Sequence, residues 1–295
     1  MEGLIGVLKE TTLRSQKLAK LLADYRRLTG EPVRNAYERE RTLAEIEKVA
    51  AGFSEGEVKE KLRVWVEEEK KRVEEAKEEF KFEFGRQLLT GLEGSGLSVK
   101  GQLPFLQCGL FSVQVDFTAG RATIFWGPEI ERIKSGVKLE PFGLAQTLRN
   151  YDESLKKKAI KDPQEFIERL FTGYRRVCRA RNVVEGERIF LLDLLSEMVF
   201  LMQPEGFKAN PVRERFIEYP RIRFSYDLYL LKRSGVRTVG NSQVRLSVAN
   251  FDATGEKTKA LWVPDNETGE GTYYSYISFC REPEESRWNQ NWPGQ

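Results

Sequence analysis

The chain has 295 residues, 40% hydrophobic and 32% charged, with 48 Lys and Arg against 45 Asp and Glu and no histidine. That length allows one large domain or two ordinary ones, with a core that needs no disulfides. The missing histidine removes Ser-His-Asp and Cys-His catalysis, His-ligated zinc and imidazole acid–base work, and leaves carboxylate–Mg²⁺ chemistry, lysine or tyrosine chemistry, and binding.

The first ninety residues read as helix in three pieces. Leu4, Val7, Thr11, Arg14, Leu18, Leu21, Tyr25 and Leu28 fall at alternating spacings of three and four, a heptad with two imperfect positions. Gly30 and Pro32 stop this helix. A second helix carries Ala36, Leu43, Ile46, Ala50 and Phe53 on one face. Ser54 and Glu57 have capping-box spacing, which predicts a third helix from Glu55 to about residue 89. Its stripe is Val58, Leu62, Trp65, Val73, Ala76 and Phe80, and its other face is a lattice of Glu and Lys with pairs such as Glu67–Lys71 and Glu68–Arg72. Narrow apolar stripes on three helices predict a coiled-coil arm over residues 1–90, as an antiparallel hairpin or a three-helix bundle. Such an arm serves a protein partner or self-association.

Gly91, Gly94 and Gly96 mark a joint, after which the hydrophobic period becomes two. Phe111, Val113, Val115 and Phe117 alternate with polar residues, 118–121 turn the chain, and 122–126 return. Residues 91–160 are therefore expected to hold a small antiparallel sheet, also using 99–103, and a helix over 142–158.

Residues 161–281 form the third block. Asp162, Pro163 and Glu165 are an N-cap, a first-turn proline and a capping-box acid. The helix they open should bury Phe166, Ile167, Leu170, Phe171, Tyr174 and Cys178, and presents Arg175, Arg176 and Arg179 as a secondary basic face. A helix over 189–203 is apolar almost all round and is expected at the centre of a core. A third helical region runs from Asn210 to about Gly235 with a break at Pro220, followed by strands at 244–250, 259–263 and 272–279. Three helices and then a hairpin is the order of a winged helix, with 244–263 as the wing. Residues 282–295 read as a polar tail with Trp288 and Trp292. The fold class is α+β.

From Lys208 to Arg245 nine basic residues face only Glu214, Glu218 and Asp227, with Phe216, Tyr219, Phe224, Tyr226 and Tyr229 interleaved. Arginines neutralise phosphates and aromatic rings stack on bases. The candidate nucleic-acid residues are therefore Arg213, Arg221, Arg223, Tyr226, Tyr229, Lys232, Arg233, Arg237 and Arg245. The competing expectation is that the rings are core and the arginines pair with acids from elsewhere.

Asp193 and Glu197, four apart on one helix, have the spacing to hold Mg²⁺, but the arginines just before them offer salt bridges instead. Asp116 lies on a strand, yet the returning strand supplies no acid or lysine for a nuclease site. No P-loop is present; the run from Gly255 to Thr258 has only the end of one. Cys108, Cys178 and Cys280 are too few and too scattered for a disulfide framework or a zinc knuckle. The first fourteen residues are too short in apolar content to be expected as a signal peptide, and the most hydrophobic stretch, 189–202, is too short to span a bilayer. A cytoplasmic protein with no membrane partner is expected.

These features point to a non-catalytic, nucleic-acid-associated subunit of a larger assembly. The arm would serve assembly, the basic helices phosphate contact, and no cofactor is needed. The alternatives are a scaffold or adaptor that docks on an enzymatic partner without touching nucleic acid, and a Mg²⁺-dependent nuclease using Asp193, Glu197 and a third acid.

Overall fold

Helix α1 spans Glu2–Leu28, α2 Ala36–Ala50 and α3 Glu57–Leu92. The structure, a computed structural model, describes residues 1–128, 131–254 and 258–281. Gly255 and Lys257 of the P-loop-like run, and Trp288 and Trp292 of the tail, lie outside the described residues. Two compact units are present. The first comprises residues 1–91 with the short segments 116–121 and 138–144; the second comprises the rest.

In the first unit, α1, α2 and α3 share one core. Leu18 and Tyr25 from α1, Leu43 and Ile46 from α2, and Val66 and Val73 from α3 pack together, with Leu62 and Trp65 at the margin. The α3 helix starts at Glu57, two residues after the expected Glu55, and its 36 residues make a rod of roughly 54 Å. Most ion pairs within it are spaced by three, as Lys70 with Glu67 and Arg72 with Glu69, while Lys61 and Glu57 are spaced by four.

The centre of this core contains charge. Glu69 accepts hydrogen bonds from the Tyr25 hydroxyl at 2.7 Å and from Arg39 at 3.0 Å. The Arg39 and Glu69 side chains are only 4% and 7% exposed. Burial pushes the Tyr25 phenol up to about 12, so it remains a neutral donor. Burial alone would raise the Glu69 carboxyl, but hydrogen bonds from Tyr25, Arg72 and Arg39 outweigh it and hold the group below the ordinary carboxylate range. Further along α3, Phe80 and Phe84 meet Phe117 edge-on, and Tyr37 stacks on Phe117 at 5.6 Å.

The second unit holds two sheets. Strands β1 (Val99–Gln102), β2 (Phe105–Cys108), β3 (Phe111–Asp116), β4 (Arg121–Trp126) and β5 (Glu131–Lys138) lie in sequence order in one sheet. The alternation of β3 is as the sequence predicts, with Phe111, Val113 and Val115 buried. β2 and β5 were not apparent in the sequence. The first is only four residues long and the second carries Arg132, Lys134 and Lys138, which suit a sheet edge rather than a buried strand.

Helix α4 (Pro141–Lys158) precedes α5 (Pro163–Arg181), whose start is capped as expected: Asp162 accepts from the amides of Gln164 and Glu165. Gly173 of α5 is required by close packing, because a Cβ there would stand 2.7 Å from Leu194 of α6 (Leu191–Leu201). The all-round apolar helix expected over 189–203 is corrected in two respects. Ile189–Phe190 form a short strand, β6, and α6 buries only Leu191, Leu194 and Met198. One side of α6 packs on α5, Leu192, Leu195, Val199 and Leu201 are half-buried, and Phe200 is exposed.

After α7 (Glu205–Ala209) and a 3₁₀ turn at Arg213–Arg215, α8 runs Arg221–Ser234. The second sheet then assembles from β7 (Thr238–Val239), β8 (Ser242–Val248), β9 (Leu261–Pro264) and β10 (Gly271–Arg281), with α9 (Phe251–Thr254) between β8 and β9. The wing expected over 244–263 does not form as a hairpin. β8 pairs with β10 over 274–281, and β9 pairs with β10 over 271–274, so the two strands meet β10 and not each other. β6 joins β10 beyond β9, through Tyr276 and Ile277. The long β10 is thus an inner strand that the element order alone does not reveal.

Candidate nucleic-acid interface

The helix expected to read nucleic acid is α8, and its residues divide sharply. Tyr226 and Tyr229 are 7% and 2% exposed, and Tyr226 meets the ring of Trp126 edge-on. Their assignment as base-stacking residues is therefore corrected: each ring is walled in by the second unit's core. The neighbouring Asp227 is fully buried, where it accepts from the Ile160 amide at 3.0 Å and the Tyr219 hydroxyl at 2.8 Å.

Most of the basic side chains near α8 are paired. Arg221 donates to Glu131 and to the carbonyl of Ala260, both at 3.0 Å. Arg223 lies 3.9 Å from Asp227 and over the ring of Tyr219. Lys232 binds Asp265 and Tyr274, and Arg233 binds Glu267 and the hydroxyl of Tyr229. Except for Asp227, these acids are distant in sequence, so a local charge count hides the neutralisation by Glu131, Asp265 and Glu267. Arg213, Arg237 and Arg245 are exposed and form no ion pair among the described residues.

On α5, Arg175 binds Glu185 at 2.7 Å and Arg176 lies 3.7 Å from Glu197. Arg179 is exposed and has no ion-pair partner among the described residues. Asp193 accepts from Arg181 at 2.7 Å. Both acids of the Asp193–Glu197 pair therefore face arginines. Among the described residues, no group of three or more Cys, Asp or Glu is placed to hold a metal ion.

A second surface emerges from the pairing of β8 with β10. Tyr276 lies opposite Ser247, Ser278 opposite Arg245 and Cys280 opposite Gln243. Directly opposed residues share a face of a sheet. Ile277 and Phe279 point the other way and are buried, with Phe279 packed on Phe171 and Tyr174 of α5. The face with Tyr276 is open and forms a cleft of about 720 Å³. Arg188 stands over the Tyr276 ring, and Phe190 packs on that ring at 4.6 Å.

No protein-family model matches this chain, and no curated protein or solved structure matches it either. The interpretation therefore rests on geometry. Of the nine sequence-derived nucleic-acid candidates, only Arg245 belongs to the open face. Arg188, Phe190 and Tyr276 were missed as a group because β6 is two residues long and its pairing with β10 spans more than eighty residues. The strand signal at 272–279 was legible, but not which of its two aromatic faces stays open. Among the described residues, no helix is long and apolar enough to cross a membrane.

Proposed function

We propose that this protein is a non-catalytic assembly subunit that pairs with a second copy of itself through the first turns of α1. The observation that carries this reading is the state of residues 2–13. They are helical and wholly exposed, including Leu4 (71%), Val7, Leu8 and Leu13, whereas the three-helix core begins where Arg14 bonds to the carbonyl of Gly52. A helix that continues its apolar stripe past its own core calls for another apolar helix.

The segment is complementary to itself. In an antiparallel pair centred between Ile5 and Gly6, Leu4 of one copy meets Val7 of the other, and Glu2 meets Lys9. A side chain added at Gly3 or Gly6 would meet nothing within 4 Å, so the backbones can approach. Such a two-fold arrangement uses one patch twice. Burying Leu4, Val7 and Leu8 of both copies, six side chains at roughly 2 kcal/mol each, less the cost of association, supports an interface of micromolar strength or weaker.

The test is sedimentation of the full chain at up to about 100 μM, where a weak interface is populated. The parent should dimerise, while Leu4→Glu with Val7→Glu should be monomeric with an unchanged circular dichroism spectrum. A parent that stays monomeric, or a double variant that dimerises equally, overturns the reading.

A second reading, contact with nucleic acid, is supported by the exposed Arg179, Arg213, Arg237 and Arg245, none of which has an ion pair among the described residues. Salt-dependent binding of an oligonucleotide tests it.

A further inference from the structure

We propose that the open face of the second sheet binds single-stranded nucleic acid, with Arg188 and Arg245 on phosphates and the Phe190–Tyr276 pair stacking on a base. The inference rests on the nucleic-acid reading and gives it a surface; it is independent of self-association through α1. Three observations meet at this place.

The first is charge. Arg188 and Arg245 line the same cleft, and neither guanidinium has an ion-pair partner among the described residues. Arg245 lies on β8 and Arg188 precedes β6, with β10 between them. Two strand spacings separate such positions by roughly 10 Å. A polyanion lying along β10 would have a guanidinium on each side. Glu187 is the opposing charge in the cleft.

The second is the aromatic pair. Phe190 is 41% exposed although it packs on Tyr276 with the planes inclined by 31°. An exposed ring backed by a second ring and flanked by arginine is a stacking platform, and stacking tolerates any base. Bases of a duplex present edges, not faces, so the platform selects unpaired strands.

The third is the floor of the cleft. Ser247 and Tyr276 contribute hydroxyls, the Ser278 side chain lines the cleft but is only 4% exposed, and Cys280 contributes a thiol that donates to the Gly186 carbonyl at 3.7 Å. Hydroxyl groups can meet both phosphate and sugar oxygens. The opposite face of the same strand carries Ile277 and Phe279, so the polar row is confined to the open side.

The experiment uses the full chain and a fluorescent oligo-dT of about 15 nucleotides, the upper size of a single platform. Anisotropy titrations at about 50 and 200 mM salt should show binding that weakens with salt. Arg188→Ala with Arg245→Ala should flatten the logarithmic salt slope by about 1.4, the value for two contacts on a single strand. Phe190→Leu should weaken binding by about 5- to 150-fold, the range for one stacked base. A duplex of equal length should compete poorly.

Binding that is unchanged by both variants overturns this surface and leaves the nucleic-acid reading to the other exposed arginines. No binding at the lower salt by the folded parent overturns both. Better competition by duplex than by single strand overturns the platform. The dimer measured by sedimentation stands or falls separately.

Discussion

Trp126 donates its indole N–H to the hydroxyl of Ser225 at 2.9 Å, across 99 residues of sequence. The same hydroxyl donates to the carbonyl of Trp262. Ser225 thus ties a strand of the first sheet, a helix and a strand of the second sheet through one oxygen, with no exposed surface of its own. Close contact continues at Gly127, where a Cβ would lie 2.4 Å from the Trp262 ring and the φ of +60° already excludes most other residues.

Ser225→Ala should therefore cost about 2–6 kcal/mol, since it strands a buried donor and a buried acceptor at roughly 1–3 kcal/mol each. Trp126→Phe should recover none of this, because it removes ring area as well. Chemical denaturation followed by tryptophan fluorescence measures both, and a Ser225→Ala midpoint equal to that of the parent would show that the two groups find other partners.

The Arg39–Glu69 pair should be costly to break and cheap to replace. Arg39→Met alone removes the buried one of the two guanidinium partners of Glu69 and leaves Arg72, so it should cost less than the about 3–5 kcal/mol of a fully stranded charge. Arg39→Met with Glu69→Met removes both charges and should regain most of that loss. A double-mutant cycle read by thermal unfolding decides the point: strictly additive effects would mean that the two side chains do not act as a pair.

Asp227 gives the protein a pH dependence of known sign. Burial pushes its carboxyl up from 3.8 to about 6, although Ile160, Tyr219 and Arg223 all favour the ionised form. The folded protein therefore keeps this proton at pH values where the unfolded chain has lost it. The associated stability is fully present below about pH 4 and is lost as the pH rises to about 6, by an amount on the order of 3 kcal/mol. Asp227→Asn should remove this loss, so that the variant is at least as stable as the parent at neutral pH. An identical slope between about pH 4 and 6 in parent and variant would assign the effect to other groups.

Elements specified by neighbouring residues are legible in the sequence. Asp162 and Pro163 gave the start of α5, Gly30 and Pro32 the break after α1, and the alternation around Val113 a strand with one buried face. Each of these depends on neighbours within a few residues. What was not legible depends on partners far away. Glu69 belongs to the same Glu–Lys lattice as Glu67 and Glu68, and only the approach of Tyr25 and Arg39 makes it a core residue. Lys232 and Arg233 counted as free cations until Asp265 and Glu267 came alongside. Tyr226 and Tyr276 are the same residue type in basic surroundings, yet one faces Trp126 and the other an open cleft.

The pairing of β10 has a consequence for synthesis on the ribosome. β6, β8 and β9 all take their hydrogen bonds from residues 271–281. Until that segment leaves the exit tunnel, these strands have, among the described residues, no strand partner other than the short β7 beside β8. The three N-terminal helices, whose contacts are close in sequence, can form well before then. A product that ends before residue 271 would carry the folded N-terminal helices and three exposed strand edges, the kind of surface that recruits chaperones or aggregates.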